Sequence, residues 1–170
     1  MRIFKTIEEF KASPKHSIII VLDNIRSLNN VGSFFRTADS FLLEGIYLCG
    51  ITGQPPHREI EKTALGATLS VDWKYFQNTM DALIDLKEKN YKIFGIEQHD
   101  KSISLQNIKI TQSDRIAVIF GNEVTGISQD ILQACDSIIE IPQMGTKHSL
   151  NVAVCGGIVC WEILRKMGVF

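Results

Sequence analysis

No hydrophobic run in this chain is long enough to cross a bilayer. The longest runs, such as IIIVL at 18–22, fall far short of the roughly 20 apolar residues that a membrane helix needs. The opening stretch MRIFKTIEEFKASP carries Glu8 and Glu9 where a secretory signal needs an apolar core. A cytoplasmic location is therefore expected. Cysteine is sparse. Cys49, Cys135, Cys155 and Cys160 form no C-x-x-C pair, and each has apolar neighbours. They read as buried thiols rather than as disulfides or zinc ligands. His16, His57, His99 and His148 are scattered, with no H-E-x-x-H spacing, so no metal site is expected. An excess of positive charge is also missing: 18 Lys and Arg against 19 Asp and Glu leave a net charge of −1. That excludes the globally basic surface common among nucleic-acid-binding proteins, though not a local patch.

Several well-known site patterns are absent too. No G-x-G-x-x-G follows the first predicted strand, and no acidic residue stands at the ribose-binding distance, which weakens a dinucleotide site. There is no G-x-x-x-x-G-K-[ST], so a P-loop nucleotide hydrolase is excluded. No G-x-S-x-G elbow appears, and Ser33 and Ser149 lack an evident His/Asp partner set, which argues against a hydrolase triad.

What remains is an ordinary globular composition, 45% hydrophobic and 22% charged over 170 residues. That length suits one domain, 1–170, with a substantial core and a short N-terminal segment 1–16. Strand-like and helix-like segments alternate. SIIIVLDN (17–24), GIYLCG (45–50), SVDWKYF (70–76), YKIFGIEQ (91–98), RIAVIFGNE (115–123) and SIIEIP (137–142) read as strands. Segments 31–42, 58–67, 79–90 and 128–136 read as helices, the last with Ser128 as its cap. A final helix opens at Ser149 and Asn151 and carries Gly156-Gly157 in its middle. The pattern implies an α/β fold with a mostly parallel sheet covered by helices on both faces. Such sheets bind ligands beyond the carboxyl ends of their strands. Four polar segments stand there: 23–37, 95–100, 121–128 and 142–151.

Three stretches carry a more specific signal. They are NIRSLNNVGSFFRTADSF, IAVIFGNEVTGIS and IEIPQMGTKHSLNVAVCGGI, in that order, with KTALGA at 62–67 between the first two. They resemble the signature motifs of the SpoU/TrmH family of RNA 2'-O-ribose methyltransferases, within the SPOUT superfamily. The resemblance runs over roughly 18–165. One departure is visible: Gln143 follows the proline where the family has Met, and Met144 comes one place later. The resemblance implies a C-terminal trefoil knot, S-adenosyl-L-methionine as cofactor, a tRNA or rRNA substrate and a homodimer. It also implies residue roles. Arg36 would be the catalytic arginine, with Asn30, Glu123, Ser149 and Asn151 around it. Gly121, Gly126, Ile141, Met144 and Leu150 would hold the cofactor.

Each of these has a plainer reading. Asn30, Ser149 and Asn151 are good helix caps, and Gly121 and Gly126 are good turn residues. Ile141, Met144 and Leu150 are core types, while Arg36 and Glu123 suit a solvated surface. Gly121 also suits close approach of backbone to a ligand. Arg26, Arg58, Lys62 and Lys147 are candidates for RNA contact. Two rival functions stand beside the methyltransferase: a nucleotide-binding α/β oxidoreductase, weakened by the missing glycine fingerprint, and a non-catalytic RNA-binding module of the same fold.

Overall fold

A computed structural model describes residues 4–170. Seven strands form one sheet in the order β3-β2-β1-β6-β4-β7-β5, and every named pair of strands is parallel. In chain order the strands are β1 (His16–Asp23), β2 (Leu43–Cys49), β3 (Trp73–Phe76), β4 (Lys92–Ile96), β5 (Ile103–Ser104), β6 (Ile116–Phe120) and β7 (Ser137–Glu140). The helices are α1 (Ile7–Ala12), α2 (Leu28–Ser40), α3 (Arg58–Ala64), α4 (Ala67–Ser70), α5 (Thr79–Glu88), α6 (Gln129–Ala134) and α7 (Val152–Lys166). A single 3-10 turn, Leu105–Asn107, follows β5.

The run of apolar residues in β1 is explained by burial on both faces. Strand side chains alternate, and here Ile18, Ile20 and Leu22 enter one core while Ile19 and Val21 enter the other. β6 repeats the division, with Ile116, Val118 and Phe120 on the first side and Ala117 and Ile119 on the second. α1, α2, α3, α4 and α7 cover the first face, and α5 and α6 cover the second. This is the sheet with helices on both faces that the alternating pattern implies.

Several boundaries differ from the sequence reading. The helix expected over 58–67 stops at Ala64, because Leu65 (φ 50°) and Gly66 (φ 87°) turn left-handed. A short second helix then occupies Ala67–Ser70, so the strand expected from 70 begins only at Trp73. The last helix also starts later than expected. Asn151 is its cap, and Ser149 stays in the irregular segment before it. Ser128 does precede α6, but its side chain makes no capping bond.

Where α2 crosses its neighbours, glycine is required. A Cβ on Gly32 would run into Thr63 and the Ile60 carbonyl of α3, and one on Gly156 into the Phe34 ring of α2. Phe34 lies against Phe120 with ring centroids 5.0 Å apart. α2 is thus clamped between α3 and α7, with its first turn at the carboxyl edge of the sheet.

Candidate active site

At that edge the ends of β4, β6 and β7 open into a cavity of about 560 Å³. Its apolar wall is Ile96, Phe120, Ile141, Leu150 and Val152, and its polar groups include Glu97, Asn122, Glu123 and Asn151. Three of the four polar segments anticipated at this edge contribute. The first, 23–37, does not line the cavity but braces its rim through Asn30.

The brace is built on Glu123. Its Oε2 accepts from the Arg26 amide at 2.9 Å, and its Oε1 accepts from the Ser27 amide and from Asn30 Nδ2, both at 3.1 Å. Burial alone would raise this carboxyl's pKa. The backbone N–H groups and the Asn30 amide outweigh it and hold the group below the usual glutamate value. Asn30 in turn accepts from Asn151 Nδ2 at 3.3 Å. Asn151 caps α7, its Oδ1 accepting from the Ala153 and Val154 amides at 2.9 and 3.2 Å. One chain of hydrogen bonds therefore ties the loop after β6 to the starts of α2 and α7. The capping and site readings of Asn151 are both met by the same side chain. The capping bond at the start of α2 falls to Ser27, which accepts from the Asn30 amide.

The remaining candidates are placed as follows. Ser149 lines the cavity and is exposed. Arg36 is exposed, does not line the cavity, and makes no side-chain hydrogen bond or ion pair among the described residues. On an α-helix it stands about 9 Å along the axis from Asn30, on the outward strip of α2 with Asn29 and Ser33. Ile141, Leu150, Gly121 and Gly126 line the cavity. Met144 does not; it is 99% exposed. The turn itself requires glycine at 121: a Cβ there would lie 2.5 Å from the Gly126 carbonyl carbon and 2.6 Å from the Ile127 nitrogen. Gly126 is left-handed, at φ 67°.

Three residues of the site went unread in the sequence. Asn122 folds the 121–127 turn, its Oδ1 accepting from the Val124 and Thr125 amides while its Nδ2 donates to the Asn24 carbonyl at 2.8 Å. An Asn opening a short glycine-bearing loop is the signal for such a turn. Glu97 accepts from the Ile127 amide at 3.1 Å. Cys155 lies on the cavity wall, where burial, with a smaller contribution from Glu97, pushes its thiol up to about 11. It is not a nucleophile at neutral pH. Among the described residues, no group of three or more His, Cys, Asp or Glu is placed to hold a metal.

Comparison with known proteins decides the family. The model of the SpoU rRNA Methylase family matches residues 17–161. The chain belongs to that family. A tRNA (guanosine(18)-2'-O)-methyltransferase of Borreliella burgdorferi is 28% identical over 150 residues, covering 88% of this chain and 67% of the relative. A Staphylococcus saprophyticus protein named for the TrmH family of tRNA/rRNA methyltransferases is 26% identical over 160 residues, covering 94% of this chain and 63% of the relative. The chain thus spans about two thirds of the length of these relatives. Among solved structures, an AdoMet-bound rRNA methyltransferase from Sinorhizobium meliloti superposes with a TM-score of 0.82 at 25% identity, over 89% of this chain and 57% of that one. The SPOUT architecture is therefore that of this family.

Proposed function

We propose that residues 1–170 act as one S-adenosylmethionine-dependent RNA methyltransferase domain, which transfers a methyl group to a ribose 2'-hydroxyl in the cytoplasm. A tRNA is the favoured substrate and an rRNA the second. The single observation that carries this reading is the Glu123–Asn30–Asn151 chain on the rim of an open cavity, in a chain of this family. The AdoMet-bound relative supports the cofactor, and the Borreliella relative supports the ribose target.

The cavity's composition fits the cofactor. Ile96, Phe120, Ile141 and Leu150 offer the flat apolar surface that an adenine needs, and the exposed backbone of 121–126 and 141–150 offers hydrogen bonds. When bound, S-adenosylmethionine supplies an electrophilic methyl on a sulfonium. Glu123 holds Asn30, and Asn30 holds Asn151, so the rim keeps one shape while RNA arrives. The carboxylate of Glu123 is already engaged by three donors, which suits an organising role better than proton abstraction. Arg36 has no partner to give up among the described residues. A guanidinium stays protonated in proteins, so Arg36 is assigned to a substrate phosphate and to the negative charge forming on the 2'-oxygen.

Assembly as a homodimer is part of the proposal. Val154, Ile158 and Trp161 on α7 are 55%, 40% and 50% exposed. Trp161 also stacks on Phe170 with centroids 4.5 Å apart. A contiguous apolar face of this kind marks an interaction surface, and a two-fold dimer would cover the same patch on both copies.

The test is transfer of a labelled methyl group to tRNA and to rRNA, followed by mass spectrometry of the nucleosides. The expected product is a 2'-O-methylnucleoside in tRNA. Arg36→Ala should abolish it while cofactor binding, read by calorimetry, persists. Label on a base, or none on either RNA, would reject the assignment.

A further inference from the structure

We infer that the cavity's carboxylates distinguish the cationic methyl donor from its spent product by charge, and that Glu97 is the residue most responsible. The inference rests on the reading of the cavity as the S-adenosylmethionine site. It concerns a residue outside the three sequence motifs.

The donor and the spent product, S-adenosylhomocysteine, share the adenosine, the ammonium and the carboxylate. They differ in one methyl group and one positive charge at sulfur. During transfer the S–CH3 bond breaks, its electron pair stays on sulfur, and sulfur becomes neutral. The 2'-oxygen gains the methyl and loses its proton to solvent. Any net field in the cavity therefore acts on the difference between the two ligands.

The formal charge of the lining is negative. Glu97, Glu123 and Glu140 line the cavity with one imidazole, His148, and no lysine or arginine is among the described lining residues. Glu123 is spent on the rim, where its charge is met by three N–H donors. Glu97 is differently held. It follows the last residue of β4, and its own amide is anchored to the Ile139 carbonyl of β7 at 3.0 Å. Its Oε2 accepts from the Ile127 amide at 3.1 Å and its Oε1 from the Gln98 amide at 3.2 Å. A carboxylate has about four acceptor positions, so lone pairs remain for the cavity. Gly126 keeps the place open, since a Cβ there would collide with this carboxylate. Cys155, on α7, lines the same cavity as Glu97. Glu140, at the end of β7, adds to the same sign and makes no side-chain hydrogen bond among the described residues.

A carboxylate that came within a few ångströms of the sulfonium in a partly open cavity would be worth roughly a three- to tenfold change in affinity. The consequence is release. Once its sulfur is neutral, the product loses an attraction that the donor had.

Calorimetry with S-adenosylmethionine and with S-adenosylhomocysteine, on the full chain, tests this. Glu97→Gln keeps an oxygen for the Ile127 amide but removes the charge. It should weaken donor binding roughly three- to tenfold more than product binding. Glu97→Asp keeps the charge and should retain most of the donor's relative advantage. Equal loss of both ligands in Glu97→Gln would reduce Glu97 to a brace for the 126–127 turn and overturn the inference, as would no change in either affinity. An Asp variant indistinguishable from the Gln variant would overturn it too, since reach rather than charge would be at work. A wild-type protein that binds neither ligand would instead remove the cofactor reading itself.

Discussion

Gly156 and Gly157 are neighbours on α7, yet they look onto opposite surroundings. Gly156 is buried, and a Cβ there would meet the Phe34 ring, with Cζ at 2.9 Å. Among the described residues, nothing beyond the adjoining backbone of α7 lies within 4 Å of a Cβ built on Gly157. The inner face of the helix continues with Val159, Cys160, Ile163 and Leu164, all buried, while the outer face shows Val154, Ile158 and Trp161 to solvent. A glycine inside a helix costs about 1 kcal/mol relative to alanine. At 156 the close approach of α2 offsets that cost. At 157 nothing among the described residues does. A sequence feature that reads as one pair of glycines is two features, one packed against α2 and one without a close neighbour among the described residues.

The strongest way to break the contrast is to overfill the inner face. Gly156→Leu would drive a side chain into Phe34, which is itself fully buried against Phe120. Overpacking a core costs about 3 kcal/mol at the upper end of its usual range. For a chain of this size that is a fall in Tm of roughly 6–12 °C. Thermal unfolding checks it, and an unchanged Tm would mean that α2 and α7 do not approach as closely as described.

The outer face should answer to charge without loss of the fold. Ile158→Asp places a carboxylate in the apolar stripe without touching the core. It should leave the circular dichroism spectrum and Tm of the isolated chain nearly unchanged. Light scattering should shift from twice the chain mass of 19.1 kDa to the chain mass itself. A wild-type chain that is monomeric at micromolar concentration would leave the outer face without the assigned occupant.

These two faces also show how far the sequence could be read. The apolar positions of β1 and β6 announce strands buried on both sides, and the cores contain those residues. Local signals were enough there, because strand period and burial are written in consecutive residues. The break at Leu65-Gly66 was not legible, since it rests on two left-handed residues inside a pattern that otherwise continues helically. In the site, Asn30, Glu123 and Asn151 were named from their motifs, but their mutual bonds span 93 and 121 residues of sequence. Only the fold brings them together. Glu97 and Asn122 act through such long-range contacts, to Ile127 and Asn24, and nothing adjacent to them in sequence marks the partner. Met144 stands apart from the rest of its motif, with its side chain in solvent and outside the cavity lining.

At the head of α7 the two faces meet in Asn151, which caps the helix and holds Asn30. Asn151→Ala removes both functions. Loss of an N-cap costs about 1 kcal/mol, roughly 2–4 °C in Tm at this size. Methyl transfer should fall much further than stability does, because the Glu123–Asn30 brace loses its third member. Asn151→Ser separates the two. A serine still caps but is too short to reach Asn30 as the amide does, so it should restore Tm and leave transfer impaired. Recovery of both would assign Asn151 to capping alone.

The smallest change sharpens the comparison most. Gly157→Ala adds one methyl group to the outer face and removes a glycine from a helix interior. Among the described residues the new Cβ meets nothing outside the adjoining backbone of α7, and the helix should gain about 1 kcal/mol. If a second copy packs its backbone against this point, the same methyl group separates the two helices, and the dimer weakens while the monomer stabilises. The two effects have different concentration dependence. Dissociation of a dimer follows mass action, so its share of the apparent stability changes with protein concentration, whereas helix propensity does not. Melts of wild type and Gly157→Ala at two concentrations a hundredfold apart should therefore cross: the variant is more stable when dilute and loses that advantage when concentrated. A gain of the same size at both concentrations would place Gly157 outside the interface and confine the contact to Val154, Ile158 and Trp161.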